Sequence, residues 1–147
     1  MSRVLIPALL TSVIFSSVAI ADGDPILARQ DLMDANKDAA KVIGGMLKEE
    51  QPFDAEAAME ALQTWKKSAT EAGDLFPPGS DTGQDTEAKA SIWTDRAGFD
   101  ADMEEFNTAV DAAIAANPDT LEALKAAAGP VFKTCKSCHE DYRVEKD

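Results

Sequence analysis

Cysteine and histidine are almost absent from this sequence: two of the first and one of the second among 147 residues. Three such ligands fall short of the four that a structural zinc site normally takes. One imidazole leaves no second one for acid–base work, and no other catalytic constellation stands out. Positive charge is scarce too. Lysine and arginine number 14 against 27 acidic residues, a formal net charge of −13. That balance argues against nucleic acid as a partner and against binding to an anionic membrane surface. It permits a basic protein partner steered by long-range charge, and it serves solubility equally well. Alternating strand patterns and internal repeats are also missing, which leaves helices as the building material.

What is present is concentrated. Cys135-Lys136-Ser137-Cys138-His139 holds every Cys and His of the chain within five positions. C-x-x-C-H is the attachment signature of a c-type haem. Two thiols three residues apart lie on one side of a helical turn, where both can form thioethers with the haem vinyl groups. The histidine after the second thiol is then held under the iron and can donate an imidazole nitrogen. A thioredoxin-like C-x-x-C would instead open a helix after a strand, whereas this one sits in a helical run near the last residue. The expected cofactor is therefore one covalently attached haem c, anchored by Cys135 and Cys138, with His139 as the proximal iron ligand.

Residues 1–21 read as a cleaved signal peptide. Arg3 gives the positive start, Val4 to Ala19 the apolar run, and Ala19-Ile20-Ala21 the cleavage site. The run is shorter than the ~20 residues of a spanning helix, and Pro7 interrupts it. Residues 22–147 are then one mature domain with no membrane segment, and loss of Arg3 brings its charge to −14. Export and thioether formation, which takes place outside the bacterial inner membrane, both point to the periplasm.

Asp24-Pro25 predicts a helix start, with Asp as N-cap and Pro at the first helical position. Ile26, Met33, Ala40 and Leu47 recur every seven residues, which predicts a helix over about 25–49. Arg29 interrupts its inward stripe with a charge. Asp54 caps a second helix, carried by Ala58, Leu62, Trp65, Ala69 and Ala72 and closed at Gly73. A Pro/Gly-rich loop follows from Leu75 to Gly83, then a short helical piece near Glu87 to Trp93. The third long helix, about Gly98 to Ala116, buries Phe99, Met103, Phe106, Val110 and Ile114; Asn117-Pro118 stops it. The fourth, about Asp119 to Val144, carries the haem motif, and Gly129-Pro130 should kink or divide it. The Asp and Glu residues are expected on outward faces. The fold class is all-α, an antiparallel four-helix bundle whose alanine-rich faces leave volume for a large cofactor.

Cys135, Cys138, His139, Tyr142 and Arg143 on the last helix resemble the class II cytochromes c, the cytochrome c′ family. Two further stretches agree: Arg29-Gln30-x-x-Met33, and Phe76-Pro77-Pro78-Gly79-Ser80 followed by Glu87-Ala88-Lys89-Ala90-Ser91-Ile92-Trp93. Gly129-Pro130 departs from the family pattern. The resemblance implies that the first helix faces the haem opposite His139. Met33 is then expected as the distal iron ligand, since a methionine stands where many five-coordinate members carry Leu, Phe or Tyr. The function implied is a one-electron carrier that serves a redox protein partner. The alternative is five-coordinate iron that binds nitric oxide or carbon monoxide beneath an apolar lid. The resemblance also implies that Arg29 pairs with a haem propionate, that Arg143 does likewise or lies near the exposed haem edge, and that a homodimer forms through the first two helices, with Ala39, Val42, Met46, Ala57 and Ala61 at the contact.

Overall fold

The computed structural model describes residues 23–145; the expected signal peptide, residues 1–21, lies outside them. Helix α1 spans Pro25–Leu47, α2 Ala55–Glu71, α3 Ser91–Thr94, α4 Arg96–Ala115 and α5 Leu121–Tyr142, with a 3₁₀ turn over Ala72–Leu75. Each long helix starts on a side-chain cap that satisfies otherwise orphaned backbone donors. Asp24 accepts from the Ile26 amide at 2.8 Å, and Asp54 from those of Glu56 and Ala57 at 2.9 and 3.0 Å. Asp95 accepts from the Gly98 amide at 3.3 Å and Thr120 from the Ala123 amide at 3.2 Å. The long helices pack in a ring, α1 on α2, α2 on α4, α4 on α5, and α5 back on α1. Short connections after α1 and α4 make those neighbours antiparallel, as a four-helix bundle requires. No strand is assigned among the described residues, where one isolated bridge joins Ala88 to Arg143.

Two apolar clusters fill the bundle. The larger gathers Ile43, Leu62, Trp65, Phe106, Val110, Leu124 and Val131. Trp65 is 1 % exposed and meets Phe132 edge-on at 5.2 Å, so truncation to alanine there costs about 3–5 kcal/mol. The smaller cluster, Ile92, Phe99 and Tyr142 with Phe76 and Trp93 against it, closes the end where α1 and α4 begin and α2 and α5 finish.

Four expectations need correction. Pro130 does not divide the last helix, which runs unbroken from Leu121 to Tyr142. Gly129, Pro130 and Ala126 are all solvent-exposed, so the carbonyl that loses its donor can bond to water instead. Gly73 does not close α2 in a left-handed turn, because the chain continues directly into the 3₁₀ turn. Ala39, Met46 and Ala61 are 6 %, 2 % and 5 % exposed in the chain's own core, so they are not available to a second subunit. Finally, in the buried stripe of α1, Ile26, Arg29 and Ile43 lie on the expected inward side, whereas Leu32, Ala39 and Met46 stand one position before the expected Met33, Ala40 and Leu47.

Candidate functional site

The haem motif occupies the last two turns of α5, where 3.6-residue periodicity puts Cys135, Cys138 and His139 on neighbouring positions of one face. That face opens on a crevice of about 50 Å³ between α1, α4 and α5. Met33 and Asn36 line it from α1, Asp102, Met103 and Phe106 from α4, and Cys135, Cys138 and His139 from α5. The structure therefore brings four of the six expected site residues together: the two thiols, the imidazole and the thioether.

The chemistry of the donors narrows what they can hold. Burial pushes the Cys135 thiol up to about 11. Burial, helped by the field of Asp102, pushes Cys138 up to about 12. Both sulfurs thus lie in apolar surroundings, as the edge of a bound haem would require of the side chains that hold it. No group of three His, Cys, Asp or Glu side chains among the described residues is arranged to hold a metal ion directly. His139 is held below its ordinary value by desolvation first and then by Arg143. Its imidazole is thus neutral and able to donate a lone pair. Much of His139 is nonetheless exposed, so only part of the ring faces the crevice. Two buried side-chain oxygens without a partner, Asn36 Oδ1 and Asp102 Oδ2, also belong to crevice residues. Unmet polar atoms beside a thiol–imidazole–thioether set fit a bound haem and its ligand.

Neither expected arginine lines the crevice. Arg29 is 4 % exposed. Its Nη1 donates to the Leu75 carbonyl at 3.1 Å and Ser80 Oγ at 3.0 Å. Its Nη2 donates to the Ser80 carbonyl and Thr86 Oγ1, both at 2.7 Å. The guanidinium lies 4.6 Å from the Phe76 ring centroid, a cation–π contact. Burial lowers its pKa, with Asp24 opposing the shift. Arg29 therefore fastens the 75–86 loop to α1, instead of reaching from a helix flank into water. Arg143 ends α5, where its Nε donates to Glu87 at 2.6 Å. Backbone bonds from Lys89 N to the Tyr142 carbonyl at 2.9 Å and from Val144 N to the Glu87 carbonyl at 2.7 Å tie the stretch that follows this loop to the end of the haem-bearing helix.

Asn36 and Asp102 were not recognisable as site residues from composition. Asn36 follows Met33 by three residues and so shares its face; that spacing is the signal that finds it. Asp102 corrects the expectation that the acids face outward. Its carboxyl is held above the usual range by desolvation first, then by Asp141, Glu105 and Asp95.

Comparison with known proteins gives one family. A family model described as Cytochrome C′ matches residues 24–143. The chain is 37 % identical over 134 residues to cytochrome c′ of Rhodopseudomonas palustris, which covers 91 % of each chain. It is 32 % identical over 146 residues to cytochrome c-556 of the same organism, covering 92 % of this chain and 97 % of that one. A solved cytochrome c′ from Rhodopseudomonas palustris superposes with a TM-score of 0.81 at 35 % identity, over 86 % of this chain and all of the other. A solved nitric oxide complex of a point mutant of cytochrome c prime from Alcaligenes xylosoxidans gives 0.68 at 28 % identity, over 86 % of this chain and all of the other.

Proposed function

The chain belongs to the cytochrome c′ family and carries one covalently attached haem c, and on that premise we propose that it is a periplasmic gas-binding cytochrome whose distal side is covered by Met33. When bound, the haem supplies an iron that takes small diatomic ligands and one electron at a time. Cys135 and Cys138 fix the group by two thioethers, and His139 donates its neutral imidazole from the α5 side. Met33 from α1 and Met103 and Phe106 from α4 shield the crevice from water and anions. Nitric oxide and carbon monoxide are small and uncharged, and they pass such a lid. The solved nitric oxide complex of a relative supports gas as the ligand class.

One observation carries this reading. Met33 Sδ lies 3.9 Å from Asn36 Nδ2, one turn further along its own helix. On this reading the sulfur keeps to its own helix and would cover, without occupying, the position opposite His139. Arg29, one turn before Met33, and Arg143, one turn after His139, are proposed to offset the two propionate charges through space, because both already have protein partners.

A second reading is favoured by the presence of the thioether in the same crevice as His139. The sulfur's other lone pair could close the sixth position and make a His139/Met33 one-electron carrier of raised potential. Met33→Ala separates the two. On the first reading the ferric spin state is unchanged and ferrous protein takes up carbon monoxide faster. A change from low spin to high spin in the variant would instead establish the second.

No helix among the described residues is long and apolar enough to cross a membrane. The periplasmic assignment rests on the expected signal peptide and on where thioethers to haem are made.

A further inference from the structure

The chain has one tyrosine and two tryptophans, and these phenol and indole rings differ in what receives their proton. The Trp65 indole donates to the Asn36 carbonyl at 3.2 Å, and the Trp93 indole to the Pro77 carbonyl at 2.9 Å. A backbone carbonyl does not keep a proton, whereas a carboxylate does. The Tyr142 hydroxyl donates to such a carboxylate, Asp95 Oδ2, at 3.2 Å. Asp95 caps α4 with its other oxygen, Oδ1, which accepts from the Gly98 amide. Protonation at Oδ2 therefore leaves the cap in place. Tyr142 is 8 % exposed, whereas Asp95 is at the surface and can pass a proton on to water.

Tyr142 also stands close to the point where the haem is attached. It follows Cys138 by four residues on α5, and Cys138 packs against the cluster of Ile92, Phe99 and Tyr142. Phe99 meets Tyr142 edge-on at 5.4 Å, and Phe76 meets Phe99 at 4.9 Å. A phenylalanine ring gives up an electron far less readily than a phenol, so an electron deficit that reaches Tyr142 is held there. The negative fields of Asp95, Asp102 and Asp141 act on the phenol and favour its loss of an electron.

We propose that Tyr142 and Asp95 form a one-electron donor site that protects the haem against hydrogen peroxide. This rests on the reading that a small uncharged molecule passes Met33 and reaches the position opposite His139. Peroxide takes two electrons from the haem group and two protons from solvent, and becomes two molecules of water. Tyr142 returns one electron. Its O–H bond breaks, the electron leaves toward the Cys138 thioether, and the proton forms a new O–H bond on Asp95 Oδ2. The neutral phenoxyl radical left behind regains the phenol with an electron from a thiol or other small reductant in solution and the proton held on Asp95.

The test mixes mature ferric holoprotein with hydrogen peroxide and reads the frozen sample by electron paramagnetic resonance. A radical with the ring-proton splittings of a tyrosyl is expected, and the chain has no tyrosine but Tyr142 to carry it. Ring-deuterated tyrosine should collapse those splittings without any substitution. Tyr142→Phe should lose the signal, and peroxide should bleach its haem faster. Asp95→Asn keeps a capping residue but removes the proton acceptor, and should lose most of the signal. Peroxide consumed with no tyrosyl formed, or a signal at full strength in Asp95→Asn, overturns the proposal. If wild-type iron does not react with peroxide at all, the open-site reading fails and Met33→Ala carries the test. A tyrosyl signal in that variant supports the donor site, and its absence overturns it.

Discussion

Gly98 should tolerate no side chain, and the cost can be worked from its surroundings. It is the third residue of α4, where its amide donates to Asp95. A Cβ built there would lie 2.6 Å from the Tyr142 hydroxyl and closer still to the Asp95 carboxylate. Tyr142 donates to that carboxylate at 3.2 Å, so the new methyl group sits between two hydrogen-bonded partners. Overpacking costs ~1–3 kcal/mol, and a lost bond to a charged acceptor ~1.5–3 kcal/mol. Alanine returns up to ~1 kcal/mol of helix propensity. The net loss for Gly98→Ala is then roughly 2–4 kcal/mol, a fall of roughly 10 °C in melting temperature for a domain of this size. Circular dichroism melts of holoprotein measure it. Tyr142→Phe removes one of the two obstructing groups, so Gly98→Ala should cost measurably less in that background. Equal costs in the two backgrounds would refute the geometry, as would a neutral Gly98→Ala.

Three further outcomes follow from other parts of the structure. Arg29→Met should destabilise by roughly 2–4 kcal/mol, its charged hydrogen bonds offset by relief of a buried cation. Arg29→Lys should not restore the loss, because one ammonium cannot span four acceptors; protease cleavage within 76–90 is the readout, and wild-type resistance in the lysine variant would contradict it. Asp102 keeps its proton to higher pH in the folded state than in the unfolded chain, so its contribution is greatest in acid and is lost as pH rises through the raised folded value. Asp102→Asn should therefore gain stability relative to wild type between about pH 4 and neutrality, and denaturant titrations showing the opposite slope would remove this assignment. Denatured mature protein should retain its haem in acidified acetone, and extraction of the haem would refute attachment through Cys135 and Cys138.

Local signals were legible where the chemistry is local. Asp24-Pro25 and Asp54 announced helix starts because a cap needs only the next three residues. Cys135, Cys138 and His139 announced the cofactor because their spacing is itself the attachment geometry. Arg29 shows the limit. Its place in the inward stripe was visible, yet its acceptors lie 46 to 57 residues away in a loop without periodicity. Pro130 failed as a breaker because exposure, which decides what its freed carbonyl meets, is a tertiary property. Asp102 shows the same limit: its place on α4 is a matter of local pattern, but its oxygen's burial belongs to the crevice that α4 shares with α1 and α5.

The most direct test of the account is the absorption and magnetic spectrum of wild-type ferric and ferrous protein. A five-coordinate haem held by His139 beneath Met33 predicts high-spin iron in both oxidation states, with no near-infrared sulfur-to-iron band, and immediate uptake of carbon monoxide on reduction. A low-spin ferric spectrum carrying that band would contradict the account and place Met33 on the iron.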